Sequence, residues 1–176
     1  MQTADDFPFT STLEESTNKL WGCHFGVPPT VAETLITQRE DRRVVCTLHE
    51  KTQYQCAMLP RGDGTFLITV NKKIRKDLGL QIGTRVQVTL RRDDSEYGLP
   101  MPEEFAEVLA QDEEGNRLFH ALTPGKLRTL LYIVSQVKNP DARISRSFII
   151  VEHLKANAGK VNYRQLGETM KANNLR

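Results

Sequence analysis

The segment from Val70 to Leu90 constrains the fold more than any other part of the chain. It reads VNKKIRKDLGLQIGTRVQVTL, a pattern typical of a strand end, a short helix, a tight turn and a new strand. Asn71 is a favourable N-cap, and Gly79 suits the left-handed residue at which many helices end. The apolar alternation from Val86 to Leu90 is that of a strand with one buried face. The segment therefore predicts a strand–helix–strand unit.

A similar unit precedes it in the chain, at a shift of 43 residues that becomes 42 in the second strand. The matched positions are Val27 with Val70, Val31 with Ile74, Leu35 with Leu78, and Arg43–Leu48 with Arg85–Leu90. Pro28 takes the place of Asn71, and proline also suits a helix start. Self-similarity at a fixed period predicts a degenerate internal repeat.

The repeated unit resembles the swapped-hairpin modules of AbrB- and MazE-like barrels, whose open strand edges pair with a second copy. Because both copies lie in one chain, we expect a small double-split (AbrB-like) β-barrel that closes internally. Such a domain does not need a partner chain, so a monomer or a weak homo-oligomer is expected. Trp21 lies on an apolar strand face and is expected to anchor the barrel core.

The hydrophobic period changes from strand-like to helical at about residue 102. Pro102 and Pro124 mark helix starts, Asn139-Pro140 ends the second helix, and Asn162 begins a last amphipathic stretch after a third helix. On the third helix the apolar residues Ile144, Phe148, Val151 and Leu154 are expected to form the buried stripe. The sequence thus predicts an α+β protein with a β-barrel domain at 1–95, a linker at 96–101 and an all-helical hairpin or bundle at 102–176.

Composition and motifs argue against several classes of function. No apolar run approaches the roughly 20 residues of a membrane span, and no signal peptide is evident, so we expect a cytoplasmic protein. Cys46-x-x-His49 and Cys23-His24 lack the paired spacing of a zinc site, so no metal is predicted. Nucleophile-elbow, phosphate-loop and dinucleotide-binding motifs are missing from the sequence. We therefore predict a non-enzymatic protein without a cofactor.

Charge is unevenly distributed although the net charge is only +2. Residues 99–122 carry a balance of −5 and residues 123–176 a balance of +7. We expect the preferred binding surface, for an acidic protein or another anionic partner, where Arg128, Arg143 and Arg146 on the basic helices approach the barrel. If these helices pack on one another, the acidic stretch should neutralise part of the basic one.

A second candidate surface is the basic helix within the opening segment. Its cations are Lys72, Lys73, Arg75 and Lys76. AbrB-like proteins use basic residues of this fold against DNA phosphates, so a DNA-binding regulator is the alternative function. The first copy has Pro29, Thr30, Ala32 and Glu33 in this region, so the basic face is not duplicated. A two-fold DNA reader would present both copies, which weakens this alternative.

Motifs in both halves are similar to those of the YdeI/OmpD-associated, or bacteriocin-protection, family. The motifs are Val27-Pro28, Gly62-Asp63-Gly64, Val70–Gly79, Leu122-Thr123-Pro124, Val137–Arg143 and the helix of Arg146. The resemblance implies a β-barrel domain of unknown function joined to a helical tail, with a loose association with envelope stress or antimicrobial-peptide resistance. It implies no reaction or catalytic residue. The chain departs from the family pattern at His49-Glu50, where an Asn-Gly turn is common, and at Ile144-Ser145, which interrupt a basic run.

Overall fold

The computed structural model describes residues 5–16, 22–38 and 41–173. Trp21, expected in the barrel core, lies outside these residues. The chain is mixed α+β, with antiparallel sheets in its N-terminal part and helices in its C-terminal part, as predicted. It divides into two compact units between Asp94 and Ser95.

The first unit contains eight strands and two helices within its described residues. They are β1 (Phe7–Thr12), β2 (Glu14–Glu15), β3 (Cys23–Val27), α1 (Pro29–Gln38), β4 (Arg43–Leu48), β5 (Thr52–Ala57), β6 (Leu59–Pro60), β7 (Phe66–Thr69), α2 (Lys72–Leu78) and β8 (Arg85–Arg92). The strands form two antiparallel four-stranded sheets, in the orders β1-β8-β4-β5 and β2-β3-β7-β6. Among the described strands no ladder joins the two sheets into one closed barrel.

The two similar segments, β3-α1-β4 and β7-α2-β8, pair with each other strand by strand. Phe25 lies opposite Ile68, and Thr47 lies opposite Thr89. The sequence comparison equates the same residues, at shifts of 43 and 42. In a two-fold arrangement of antiparallel strands, the residue next to the axis pairs with its own equivalent. The pairing therefore has the register that an internal two-fold repeat requires.

Helix α2 has the termini predicted from the sequence. The Asn71 side chain accepts a hydrogen bond from the Ile74 N–H at 2.9 Å. Gly79 ends the helix in the left-handed region, with φ of 63°. Ile74 and Leu80 are buried in the core of the first unit, so this short helix is held by its packing as well as by its caps.

The hairpin between β4 and β5 turns through two left-handed residues that are not glycine. His49 has φ of 50° and Glu50 has φ of 57°, and the Lys51 N–H bonds the Leu48 carbonyl at 3.0 Å. Two-residue turns of this kind favour Asn-Gly because side chains strain a positive φ. We expect the double substitution H49N/E50G to raise the stability of the first unit by about 1–2 kcal/mol.

This expectation can be checked by the denaturant midpoint of the first unit. Lys51→Gly is a suitable control, because Lys51 is not among the residues with positive φ. Glycine at that position should give no gain in stability. An unchanged midpoint for H49N/E50G would contradict the strain argument.

The second unit consists of helices within its described residues. They are α3 (Glu103–Gln111), α4 (Glu113–His120), α5 (Pro124–Ser135), α6 (Pro140–Ala156) and α7 (Tyr163–Ala172). Its core includes Phe105, Phe119, Leu130, Ile150 and Leu166. None of the described helices is long and apolar enough to cross a bilayer.

The predicted buried stripe of α6 is partly wrong. Val151 and Leu154 are buried, but Ile144 and Phe148 are 38% and 52% exposed. Arg146 and Ser147 are buried instead. The buried face of α6 differs from the predicted one because these polar side chains have hydrogen-bond partners inside the unit. The Ser147 hydroxyl donates to the Arg143 carbonyl at 2.7 Å, and Arg146 donates to a carbonyl of α5.

The acidic and basic segments of the second unit neutralise each other in part, as expected. Arg143 lies 3.6 Å from a Glu104 oxygen, and Lys155 lies 2.7 Å from an Asp112 oxygen. Asp112 also caps α4 by accepting the Gly115 N–H at 2.7 Å. The Lys155 ammonium and this N–H lower the pKa of Asp112. The charge imbalance of the sequence is therefore smaller on the folded surface.

A buried histidine gives the second unit a pH dependence. His153 Nε2 accepts the backbone N–H of Asn162, the N-cap of α7, at 3.0 Å, and burial lowers the pKa of His153. The unfolded chain therefore takes up a proton at a higher pH than the folded one. Stability should fall as pH drops below about 6.5, the ordinary histidine value.

Thermal unfolding of the second unit between pH 7 and about 5 tests this prediction. His153→Gln, which cannot titrate, should show a shallower pH dependence in that range. His120→Gln, a change at an exposed histidine, should keep the slope of the original protein. An identical slope for the two variants would contradict the role of His153.

Candidate binding cleft of the helical unit

The second unit carries an open cleft of about 610 Å³. It is lined by Leu99, Pro100, Met101, Pro102, Glu103, Glu104, Tyr132, Ser135 and Arg143. One part of the lining is apolar, from the proline-rich segment and the tyrosine ring. The other part is polar and contains carboxylates and a guanidinium. This combination is typical of ligand-binding clefts, which have volumes of roughly 300–1,000 Å³.

The proline-rich wall follows directly from the local sequence. Pro100 and Pro102 disfavour helical backbone in the residues before them, so the segment from Leu99 to Pro102 cannot extend α3 backwards. Pro102 is buried and has extended backbone at the N-cap position of α3, with φ of −60° and ψ of 134°. Leu99 and Met101 pack against the core of the helical unit. Residues predicted as a linker thus form a wall of the cleft.

Helix α5 contributes one face to the cleft. Tyr132 and Ser135 line it, and Arg128 lies one turn earlier on the same face because residues four apart are neighbours on a helix. Tyr132 is 57% exposed. The Ser135 hydroxyl donates to the Leu131 carbonyl at 2.8 Å. The tyrosine ring is therefore the accessible apolar group on this side.

Arg143 has a structural contact as well as a place in the cleft. Its Nε donates to the Val137 carbonyl at 2.8 Å, beyond the end of α5. Its guanidinium also lies 3.6 Å from Glu104, and both side chains are largely shielded from solvent. The ion pair forms the polar end of the cleft, close to the start of α3.

Arg146 lies in the core and not on a binding surface. Only 7% of the residue is exposed, and its guanidinium donates to the Ile133 carbonyl at 2.6 Å. The last carbonyls of a helix lack partners within the helix, and arginine can supply them. The structure therefore separates the three predicted arginines: Arg143 lines the cleft, Arg128 lies on the adjoining helix face, and Arg146 supports α5.

The basic residues of α2 lie in the other unit and face different ways. Lys73 pairs with Asp77 at 2.7 Å. Lys72, Arg75 and Lys76 line a smaller depression of about 310 Å³.

Cys23, Cys46 and Cys56 lie in β3, β4 and β5, and the described residues contain no cluster of three or more side chains suited to a metal ion.

Sequence reasoning missed Tyr132 and the segment from Leu99 to Pro102 as cleft residues. Tyr132 sits between the apolar residues of α5, and nothing in the spacing distinguishes an exposed tyrosine from a packed one. The pattern Leu-Pro-Met-Pro was a usable signal, because two apolar residues alternate with prolines where a flexible linker would be polar.

The fold defines a class of protein in which an antiparallel β unit precedes a helical unit with an open cleft. Residues 9–90 match the family model of a domain of unknown function (DUF1905), and residues 99–157 match the model described as "Bacteriocin-protection, YdeI or OmpD-Associated". The family resemblance seen in the motifs is thereby confirmed for these two regions. No curated protein matches the chain significantly. Neither description mentions DNA, and no finding supports the DNA-binding alternative.

Proposed function

We propose that the protein is a non-enzymatic binding protein with an accessory role in protection against bacteriocins. In this proposal the helical unit binds a short extended peptide in its cleft. The observation that carries the proposal is the combination of a proline-rich wall, an exposed tyrosine and a partly buried ion pair in one cleft of about 610 Å³. The bacteriocin-protection description of the matching family supports a peptide ligand.

The charges of the lining favour a basic peptide over an acidic one. Glu103 and Glu104 contribute two carboxylates, whereas Arg143 contributes one guanidinium that already contacts Glu104 and the Val137 carbonyl. A lysine or arginine of the ligand would find a carboxylate and an aromatic face in the same cleft. The acidic partner expected from the sequence is the rival, since Arg128 remains on the adjoining face.

The polar groups of the lining support binding more than catalysis. The cleft residues include no histidine or cysteine. The Ser135 hydroxyl donates to a carbonyl of its own helix, so it is not paired with a general base. Tyr132 is exposed to solvent and gains most from contact with an apolar or cationic group.

The test measures fluorescence anisotropy of two labelled peptides of equal length and hydrophobicity, one basic and one acidic. We expect the basic peptide to bind more tightly and Tyr132→Ala to weaken its binding about tenfold, or about 1.4 kcal/mol. Phe148→Ala is the matched control, because Phe148 is similarly exposed but does not line the cleft. Equal losses in both variants, or preference for the acidic peptide, would contradict the proposal.

We also infer a double-split, AbrB-like arrangement of the first unit and a cytoplasmic monomer or weak homo-oligomer. The pairing of Phe25 with Ile68 and of Thr47 with Thr89 supports the internal repeat on which this arrangement rests. Sedimentation velocity of the purified protein tests the oligomeric state. Fractionation of producing cells tests the location, and recovery in the envelope fraction would contradict the cytoplasmic assignment.

A further inference from the structure

Three cations of α2 converge on one depression of the first unit. Lys72, Arg75 and Lys76 share a helix face, since their spacing of three and four residues brings them together. With Gly79, Leu80 and Gln81 they line a volume of about 310 Å³. No carboxylate belongs to this lining. Lys73, on the same helix, is outside it and is paired with Asp77.

Arg75 occupies a position that the fold fills elsewhere with a small apolar residue. Its equivalent in the other repeat, at the shift of 43, is Ala32, which is buried in α1. Arg75 is half-buried, and within the described residues its Nε is enclosed without a hydrogen-bond partner. A charged side chain is costly to desolvate at a position where the other repeat has a buried alanine, so packing alone does not explain Arg75.

The other two cations also have no equivalent in the first repeat. Lys72 corresponds to Pro29 and Lys76 to Glu33 at the same shift. Helix α1 forms without these charges, so the fold does not need them. Arg75 also acts on the thiol of Cys23: burial raises the pKa of Cys23, and the Arg75 charge opposes part of that increase.

We propose that this depression, named here the α2 pocket, binds a single phosphate or phosphate monoester. Lysine ammonium groups and a guanidinium together offer more donors than a carboxylate ligand could use, whereas a tetrahedral dianion has acceptors on each side. Gln81 also belongs to the lining. The pocket has room for a phosphate with a small substituent. This site is independent of the peptide cleft, which lies in the other unit.

The experiment is calorimetric titration of the full chain with inorganic phosphate, with glycerol phosphate and with a short random DNA duplex, at constant ionic strength. We expect saturable binding of both small phosphates. Arg75→Gln should weaken it about tenfold, and Lys76→Gln, a change at an exposed residue that leaves the core intact, should weaken it several-fold.

Lys73→Gln is the matched control, because it removes the same charge from the same helix outside the α2 pocket. Its phosphate affinity should stay within about twofold of the original protein. Equal weakening by Lys73→Gln and Lys76→Gln would overturn the proposal, since it would reveal an effect of net charge alone. Absence of phosphate binding at ~10 mM, or salt-dependent binding of the duplex alone, would also overturn it.

Discussion

Replacement of Arg146 by glutamate is expected to unfold the helical unit or to cost it about 3–5 kcal/mol. The guanidinium is buried and donates to the Ile133 carbonyl at 2.6 Å. A glutamate there would place an unpaired negative charge beside a carbonyl oxygen and remove that oxygen's donor. The measurement is chemical denaturation, monitored by circular dichroism of the helices.

Arg128→Glu is the control for this substitution. It reverses the same charge on a residue of α5 that is only half-buried, and we expect a change within about 1 kcal/mol. Similar losses for both variants would contradict the core role of Arg146. A pull-down with Arg146→Glu would report loss of folding and not loss of an interface, so tests of binding should use Tyr132 and Arg128.

Replacement of Gly115 by alanine is expected to destabilise the same unit by about 2–3 kcal/mol. A Cβ at Gly115 would collide with a methyl group of Val151, and it would lie 3.1 Å from the capping oxygen of Asp112. Val151 is fully buried in α6, so it cannot move away from the new methyl group. The gain in helix propensity from alanine, about 1 kcal/mol, is too small to offset this collision.

Gly125→Ala in α5 gives the matched control, because a Cβ at that residue would meet no atom within 4 Å. This variant should be neutral or slightly more stable. A double-mutant cycle adds a second check: in a Val151→Ala background, Gly115→Ala should cost much less than in the original protein. A cost that does not depend on residue 151 would mean that the close approach of α4 and α6 is not the cause.

Capping residues and prolines in the sequence predicted the ends of several helices, because such an end depends only on the few residues around it. Asn71 and Gly79 bound α2, and Asn162 caps α7, as the sequence indicated. Pro124 begins α5 as predicted, whereas Pro140, predicted to end the preceding helix, begins α6. A cap or a helix-start proline acts on its own first turn, so the information lies in the adjacent residues. The break at Asp112 between α3 and α4 was not predicted, although that aspartate caps α4.

The buried face of α6 and the residues of the cleft could not be predicted from neighbouring residues in the sequence. Phe148 is more hydrophobic than Ser147, yet Ser147 is the buried one. Arg146 is accepted in the core because its partner, Ile133, lies thirteen residues away on another helix. The cleft likewise joins the segment at Leu99 to Tyr132 and Arg143. Hydrophobic periodicity contains no information about such distant partners.

The segment from Val70 to Leu90 has some features that follow from the sequence alone and others that depend on the tertiary structure. The sequence alone determined its strand, its capped helix and its match to Val27–Leu48, since each depends on neighbouring residues or on repetition. The tertiary structure decided that the equivalent strands pair directly, and that three of its cations face one pocket while Lys73 faces Asp77. The direction of a charged side chain depends on what packs around the helix, which only the folded chain defines.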